Sequence, residues 1–137
     1  MVKIKFRGKS KETNKWVYGQ LLYLGNQPFI VGDLVEANSE YTNIEWWQPV
    51  HHNSIGQFTG FKNLRGKEIY EKDIIDFVDY DYDGDEVLCR GEVIFEKGGY
   101  HLAKSYATNE LYEYEGEDLE IIGNIYDDPE LLKEELK

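Results

Sequence analysis

The run Asp79-Tyr80-Asp81-Tyr82-Asp83-Gly84-Asp85 places four carboxylates at alternate positions, with one glycine among them. The first half of a calcium-binding loop has this spacing: acids at positions one, three and five donate oxygens, and a glycine at six makes the turn. The second half departs from the pattern. Position twelve, which needs a bidentate glutamate, is Arg90, and Glu92 lies two residues too far along. The flanks, Ile74-Ile75-Asp76-Phe77-Val78 and Val87-Leu88-Cys89, are β-branched, aromatic or apolar. They predict strands where such a loop needs helices. The expectation is a solvated acidic hairpin loop, with Asp79, Asp81, Asp83 and Asp85 as weak cation candidates and no metal assigned.

Other reactive side chains assemble into nothing stronger. His51 and His52 are adjacent, so on a strand they point to opposite faces and do not chelate one ion. His101 is distant in sequence, and Cys89 is the single cysteine, so no zinc-ligand spacing and no internal disulfide exist. Cys89 reads as a small core residue. Ser54 lies near the two histidines only along the chain, and no Gly-x-Ser-x-Gly elbow or Gly-Lys-Ser/Thr phosphate loop is present. With nucleophile, base and oxyanion donors all missing, the expectation is no catalytic residue, no cofactor and no enzymatic activity. Trp46 and Trp47 remain. Neighbouring positions on a strand place one ring on each face, one in the core and the other either available as a contact surface or oligomer interface or covered by the protein's own loops.

The elements that must position these residues are mostly strands. Val2, Ile4 and Phe6 alternate with Lys3, Lys5 and Arg7, which predicts a half-buried strand with a basic outer face. After the polar turn Gly8 to Lys15, Trp16 to Leu24 forms the second arm of a hairpin. Gly25-Asn26-Gln27-Pro28 is a turn, and Phe29-Ile30-Val31 is a short strand ended by Gly32-Asp33. Residues 37 to 44 read as a polar loop, and Glu45 to Val50 as a strand whose proline marks an edge or an end. Asn53 to Phe61 alternates loosely between small polar and apolar residues; strands follow at 74–78, 90–95, 100–103 and 119–126, and the glycines of Lys97-Gly98-Gly99 are expected to supply positive φ for a tight hairpin. Asp128-Pro129-Glu130 opens a short C-terminal helix. The fold class is mainly β: an N-terminal β-rich region over residues 1–50 and a small antiparallel barrel-like C-terminal part over 51–137, SH3-like at best.

Of 137 residues, 41% are hydrophobic and 15% aromatic, enough apolar area to build a core. The net charge is −12, a sign that disfavours phosphate backbones, so no nucleic-acid partner is expected. No apolar run is long enough for a signal peptide or a membrane span, which predicts a soluble, cytoplasmic protein with no membrane partner.

One long motif remains, Ile55-Gly56-Gln57-Phe58-Thr59-Gly60-Phe61-Lys62-Asn63-Leu64-Arg65-Gly66-Lys67-Glu68-Ile69-Tyr70-Glu71-Lys72-Asp73-Ile74-Ile75. It resembles the shared core of the YopX family of phage and prophage proteins. The likeness extends to Ile4–Gly8, Trp16–Gly19, Gly91–Phe95 and Glu120–Leu132. One departure is Lys72, where the family usually has glycine. The resemblance implies a β-rich protein of unestablished function in a bacterial host. Physically the motif reads as a folding device: Gly56, Gly60 and Gly66 set turns, Ile69 and Tyr70 enter the core, and Asp73 accepts backbone hydrogen bonds. The functional expectation is a non-enzymatic module that binds an unknown protein partner or forms homo-oligomers. The alternatives are an acidic inhibitor that occupies a nucleic-acid-binding surface of a host protein, and an uncharacterised enzyme.

Overall fold

The computed structural model describes residues 4–37, 42–104, 107–114 and 117–133. The chain divides into two units, Met1–Phe58 and Thr59–Lys137. Among the described residues all regular structure is strand or 3₁₀ turn.

The first unit begins with β1 (Phe6–Lys9), β2 (Trp16–Leu24), β3 (Gln27–Ala37) and β4 (Thr42–Pro49). They form a meander, with β4 at the sheet edge as Pro49 requires. Gly25, at φ +63, makes the tight β2–β3 connection. The β1–β2 turn is built around Ser10, which is fully buried. Its hydroxyl donates to Gln48 Oε1 at 2.6 Å and accepts the N–H groups of Glu12 and Thr13 at 3.1 and 3.2 Å. A 3₁₀ turn at His52–Ser54 then leads into β5 (Gly56–Lys62), which pairs with β1 at its start.

β3 runs well past the expected stop at Gly32-Asp33. Gly32 lies opposite Trp46 on β4, and a Cβ at Gly32 would come within 2.1 Å of that indole. The glycine is there to admit a ring across the strand pair, not to end the strand. The expected loop at 37–44 is likewise shorter: β3 extends to Ala37 and β4 starts at Thr42, and the remainder lies outside the described residues.

The chain at β1 departs from the expected alternation. Arg7 is buried while Ile4 is 58% exposed. The guanidinium lies over the Trp16 ring at 4.9 Å, and Lys9 and Lys5 stand over Trp16 and Phe58 at 5.5 and 5.6 Å. The cations are drawn onto aromatic faces, which compensates for the burial of their stems.

The second unit holds the end of β5, then β6 (Glu68–Tyr70), β7 (Asp73–Tyr80), β8 (Glu86–Glu96), β9 (Gly99–Ala103), β10 (Thr108–Glu110) and β11 (Glu120–Asn124). β6 completes a six-stranded antiparallel sheet ordered β4-β3-β2-β1-β5-β6, and the others form a five-stranded antiparallel sheet ordered β10-β9-β8-β7-β11. Its core gathers Ile69, Ile75, Phe77, Cys89, Val93, Leu102, Leu111, Tyr114 and Leu119. That sheet is open, with β10 and β11 as its edges, so the barrel expected here does not close through its described strands. The C-terminal helix is a 3₁₀ turn over Pro129–Lys133. Arg90 holds it, donating Nη1 to the Leu131 carbonyl at 3.1 Å while Nε and Nη2 clasp both oxygens of Asp76.

The long motif is largely the folding device expected. Ile69 is fully buried and Tyr70 is 3% exposed. Gly66 makes a turn at φ +82, but Gly56 sits inside β5 opposite Arg7 and sets no turn, and Gly60 bends that strand at φ +89. In the β8–β9 hairpin, positive φ falls on Lys97 and Gly98, not on both glycines.

Candidate functional site

The β2–β3–β4 sheet has one face that its own unit leaves largely open. Strand register puts Gln20, Val31 and Trp47 in one row across it, Leu22, Phe29 and Pro49 in the next, and Leu24 with Gln27 in a third. Directly opposed residues share a face. Trp47 is 55% exposed, Leu24 48% and Leu22 36%. The Trp47 ring stacks on Phe29 with centroids 5.2 Å apart and planes at 25°. Two aromatic rings are thus held in a fixed pose at the centre of an accessible apolar surface. Val31, opposite Trp47, is buried. The other side of the same strands carries Ile30, fully buried, and Trp46 over Gly32. The tryptophan pair therefore divides as alternation requires, Trp46 inward and Trp47 outward.

The three rows named hold no charged residue, and the next row of the β3–β4 pairing holds Asp33 and Glu45. From Trp16 to Gly32 the chain has seventeen residues without one Asp, Glu, Lys or Arg, although 31% of the whole is charged. Depletion of charge with aromatic enrichment is the compositional mark of an interface centre. Sequence reasoning named Trp46 and Trp47 but missed Leu22, Leu24 and Phe29. The uncharged run was the signal that would have found them.

Charge is divided very unevenly between the two units. Residues 1–58 carry six Lys and Arg against five Asp and Glu, and residues 59–137 carry nine against twenty-two. The net acidity therefore belongs to the second unit alone.

The four candidate cation ligands do not act together. Asp81, Asp83 and Asp85 are exposed, with ligand atoms within 4.8 Å of one another. Asp81 Oδ1 accepts the N–H groups of Asp83 and Asp85 at 2.9 and 3.0 Å, so this carboxylate shapes the hairpin tip. Asp79 faces elsewhere: Oδ2 accepts from Lys104 Nζ at 2.9 Å and from the Tyr114 hydroxyl at 3.0 Å. Asn109 in turn donates to Tyr114 at 2.7 Å. The Lys104 hydrogen bond, foremost, holds the Asp79 carboxyl below its usual range, and burial pushes the Tyr114 phenol up. The network ties β7 to the segment around β10 and opens on no reactive atom.

The histidines and the cysteine have structural surroundings. His51 precedes the 3₁₀ turn rather than lying on a strand, and its carbonyl accepts from Ser54 Oγ at 2.6 Å. His52 meets Tyr23 edge-on at 6.4 Å, and buried His101 has Nδ1 3.2 Å from the Gly99 carbonyl. Cys89 lies in the second unit's core.

A family profile described as YopX protein matches residues 5–133. The chain belongs to the YopX family. Among solved structures, this YopX-family fold is similar to the crystal structure of protein EF1440 from Enterococcus faecalis, with a TM-score of 0.59 at 22% identity. That likeness covers 96% of this chain and 99% of the other, and at such identity it speaks for the fold alone. No curated protein is significantly similar to this chain. Within the described residues, no helix is long and apolar enough to cross a membrane.

Proposed function

We propose that this YopX-family chain is a non-enzymatic protein-contact module that binds through the β2–β3–β4 face. The observation that carries this reading is Trp47, half exposed and stacked on Phe29 among neutral cross-strand neighbours. A rigid aromatic pair costs little side-chain entropy on binding, and Leu22 and Leu24 extend the apolar area around it. The test is a pull-down from bacterial host lysate with tagged wild type, Trp47→Asp and, as a control away from the face, Asp81→Ala. Proteins retained by wild type and Asp81→Ala but lost with Trp47→Asp support the reading. Retention indifferent to Trp47→Asp overturns it.

A second reading, an acidic inhibitor of a host nucleic-acid-binding protein, draws on the charge division. The second unit's excess of acids would complement a basic surface. Its strand acids are engaged internally, however: Asp76 with Arg90, Asp79 with Lys104, and Asp73 buried. Retention that survives Trp47→Asp and is released by moderate salt would favour this reading over the first.

A further inference from the structure

We propose that the partner enters as an extended, uncharged peptide strand, added to the open edge of β2 at Leu21–Leu24. The inference rests on the contact reading above and names the chemistry of its partner.

A proline sets the geometry. β2 pairs with β1 only from Trp16 to Gly19, and with β3 only from Gln20 to Leu24. Past Gly19, the β1 side of β2 has no strand partner among the described residues. Pro28 lies opposite Tyr23, and its carbonyl accepts from the Val50 N–H at 3.1 Å, on the side away from β2. A strand residue sends its N–H and C=O to the same side, so Pro28 and Tyr23 form a non-hydrogen-bonded pair. The Tyr23 N–H and carbonyl therefore point away from β3, to the open edge. Leu21, two residues back, points the same way. Continued by two positions, the Phe6–Gly19 register would set Ile4 against Leu21. Ile4 lies outside β1, however, and its carbonyl accepts from Gln20 Nε2 at 2.8 Å.

The outermost strands of both sheets are guarded. β4 carries Glu45 and Pro49, and the Pro49 carbonyl accepts from the Lys11 N–H at 2.8 Å. β6 and β10 have three residues each, and β11 shifts register between Ile121 and Gly123. Short edges, prolines, charges and bulges are the usual defences against strand addition. Leu21-Leu22-Tyr23-Leu24 carries no proline, charge or bulge. Leu22 and Leu24 lie on the Trp47 side of the sheet, and Leu21 and Tyr23 on the other. An added strand thus bonds backbone to backbone and sets its alternate side chains beside apolar neighbours on both faces. A segment without charge fits that setting. It also escapes the repulsion that a second copy, at −12 per chain, would meet.

The experiment is amide hydrogen exchange, read residue by residue by NMR on the full chain. The probe is a short peptide of alternating valine and threonine, blocked at both ends. In the free protein the Leu21 and Tyr23 amides are expected to exchange fast, and that of Leu22, bonded to β3, slowly. At peptide saturation Leu21 and Tyr23 should slow by about tenfold or more. The fully N-methylated peptide should have no effect. Tyr23→Pro removes an outward N–H and no ladder bond, so it should keep the circular dichroism spectrum and lose the peptide. Tyr23→Ala keeps the N–H and should retain it. Leu21 and Tyr23 amides already slow in the free chain overturn the proposal, since the edge is then covered by the chain itself or, if the slowing grows with protein concentration, by a second copy. Peptide binding that survives N-methylation or Tyr23→Pro overturns it too. Lysate contacts that require Trp47, with no peptide effect at Leu21 and Tyr23, would end the strand proposal and leave the contact reading standing.

Discussion

Asp73 Oδ2 accepts the backbone N–H of Tyr70 at 2.7 Å, closing the two-residue turn Glu71-Lys72 between β6 and β7. Both residues are buried, at 2% and 3% exposure. The chain is held there in a bend that Lys72 makes at φ +79. Two further backbone bonds fix the same residue: Lys72 N–H to the Val93 carbonyl at 2.8 Å, and Ile125 N–H to the Lys72 carbonyl at 2.9 Å. Lys72 therefore cannot relax its backbone without breaking contacts to β8 and to the turn after β11.

The buried acceptor sets the first expectation. Asp73→Ala leaves the Tyr70 N–H without this partner and should cost about 1–3 kcal/mol. Asp73→Asn keeps an oxygen in reach and should cost less. Urea unfolding of both variants checks the order, and equal losses would mean that Asp73 acts through its charge and not through this bond.

Lys72 occupies the left-handed region, where a side chain costs about 1–3 kcal/mol and glycine does not pay it. Lys72→Gly should stabilise the protein by about 1 kcal/mol after the added flexibility of the unfolded chain is counted. Lys72→Ala should leave stability nearly unchanged, because the strain stays. A destabilised glycine variant would show that the lysine side chain contributes more than its backbone costs.

Asp79 ionises more readily in the folded protein than its ordinary value of 3.8, chiefly because Lys104 donates to it. The unfolded chain therefore takes up the proton first as pH falls. The stabilisation is complete above 3.8 and is lost as pH drops through the lower folded value. Asp79→Asn should melt lower than wild type near neutral pH, and the gap should narrow in strong acid. Thermal melts in a pH series decide it, and a gap that does not change with pH would exclude the ion pair as its source.

Glu92 shifts the other way. Burial foremost raises its carboxyl above 4.5, against a smaller opposing pull from Lys72. Ionisation is then easier in the unfolded chain, so the group's contribution is present below 4.5 and is lost as pH rises through the folded value. Glu92→Gln should be the more stable protein near neutral pH and should match wild type in acid. Chemical denaturation at the two extremes reads the difference directly.

At the hairpin tip, Asp81 serves the turn by accepting two backbone N–H groups. Asp81→Ala should lower stability by about 0.5–1.5 kcal/mol per bond lost, before any fraying offsets it. Calcium should give only weak heats in calorimetry, since Arg90 stands where the closing glutamate would be and is engaged with Asp76. A micromolar calcium site abolished by Asp81→Ala would contradict this.

Most strands were legible because alternation and turn residues are local signals. The errors came where distant residues decide. Gly32 read as a stop, yet it answers to Trp46 fourteen positions on, across a strand pair whose register no local pattern reveals. Arg7 read as solvent-facing, yet Trp16 covers it from the next strand. Openness of the second sheet depends on what β10 and β11 find at their outer sides, which is again non-local. At the candidate site, period two put the two tryptophans on opposite faces and left open whether either was exposed. Only cross-strand contact showed that Trp47 is the exposed one.

The division at Phe58 gives the molecule two optical reporters. Trp16, Trp46 and Trp47 all belong to Met1–Phe58, and residues 59–137 contain no tryptophan but eight of the eleven tyrosines. Indole emission thus follows one unit only, while backbone circular dichroism follows both. Unfolding curves that superimpose by the two signals identify one cooperative transition; curves that separate identify two, with the tryptophan midpoint naming which unit yields first.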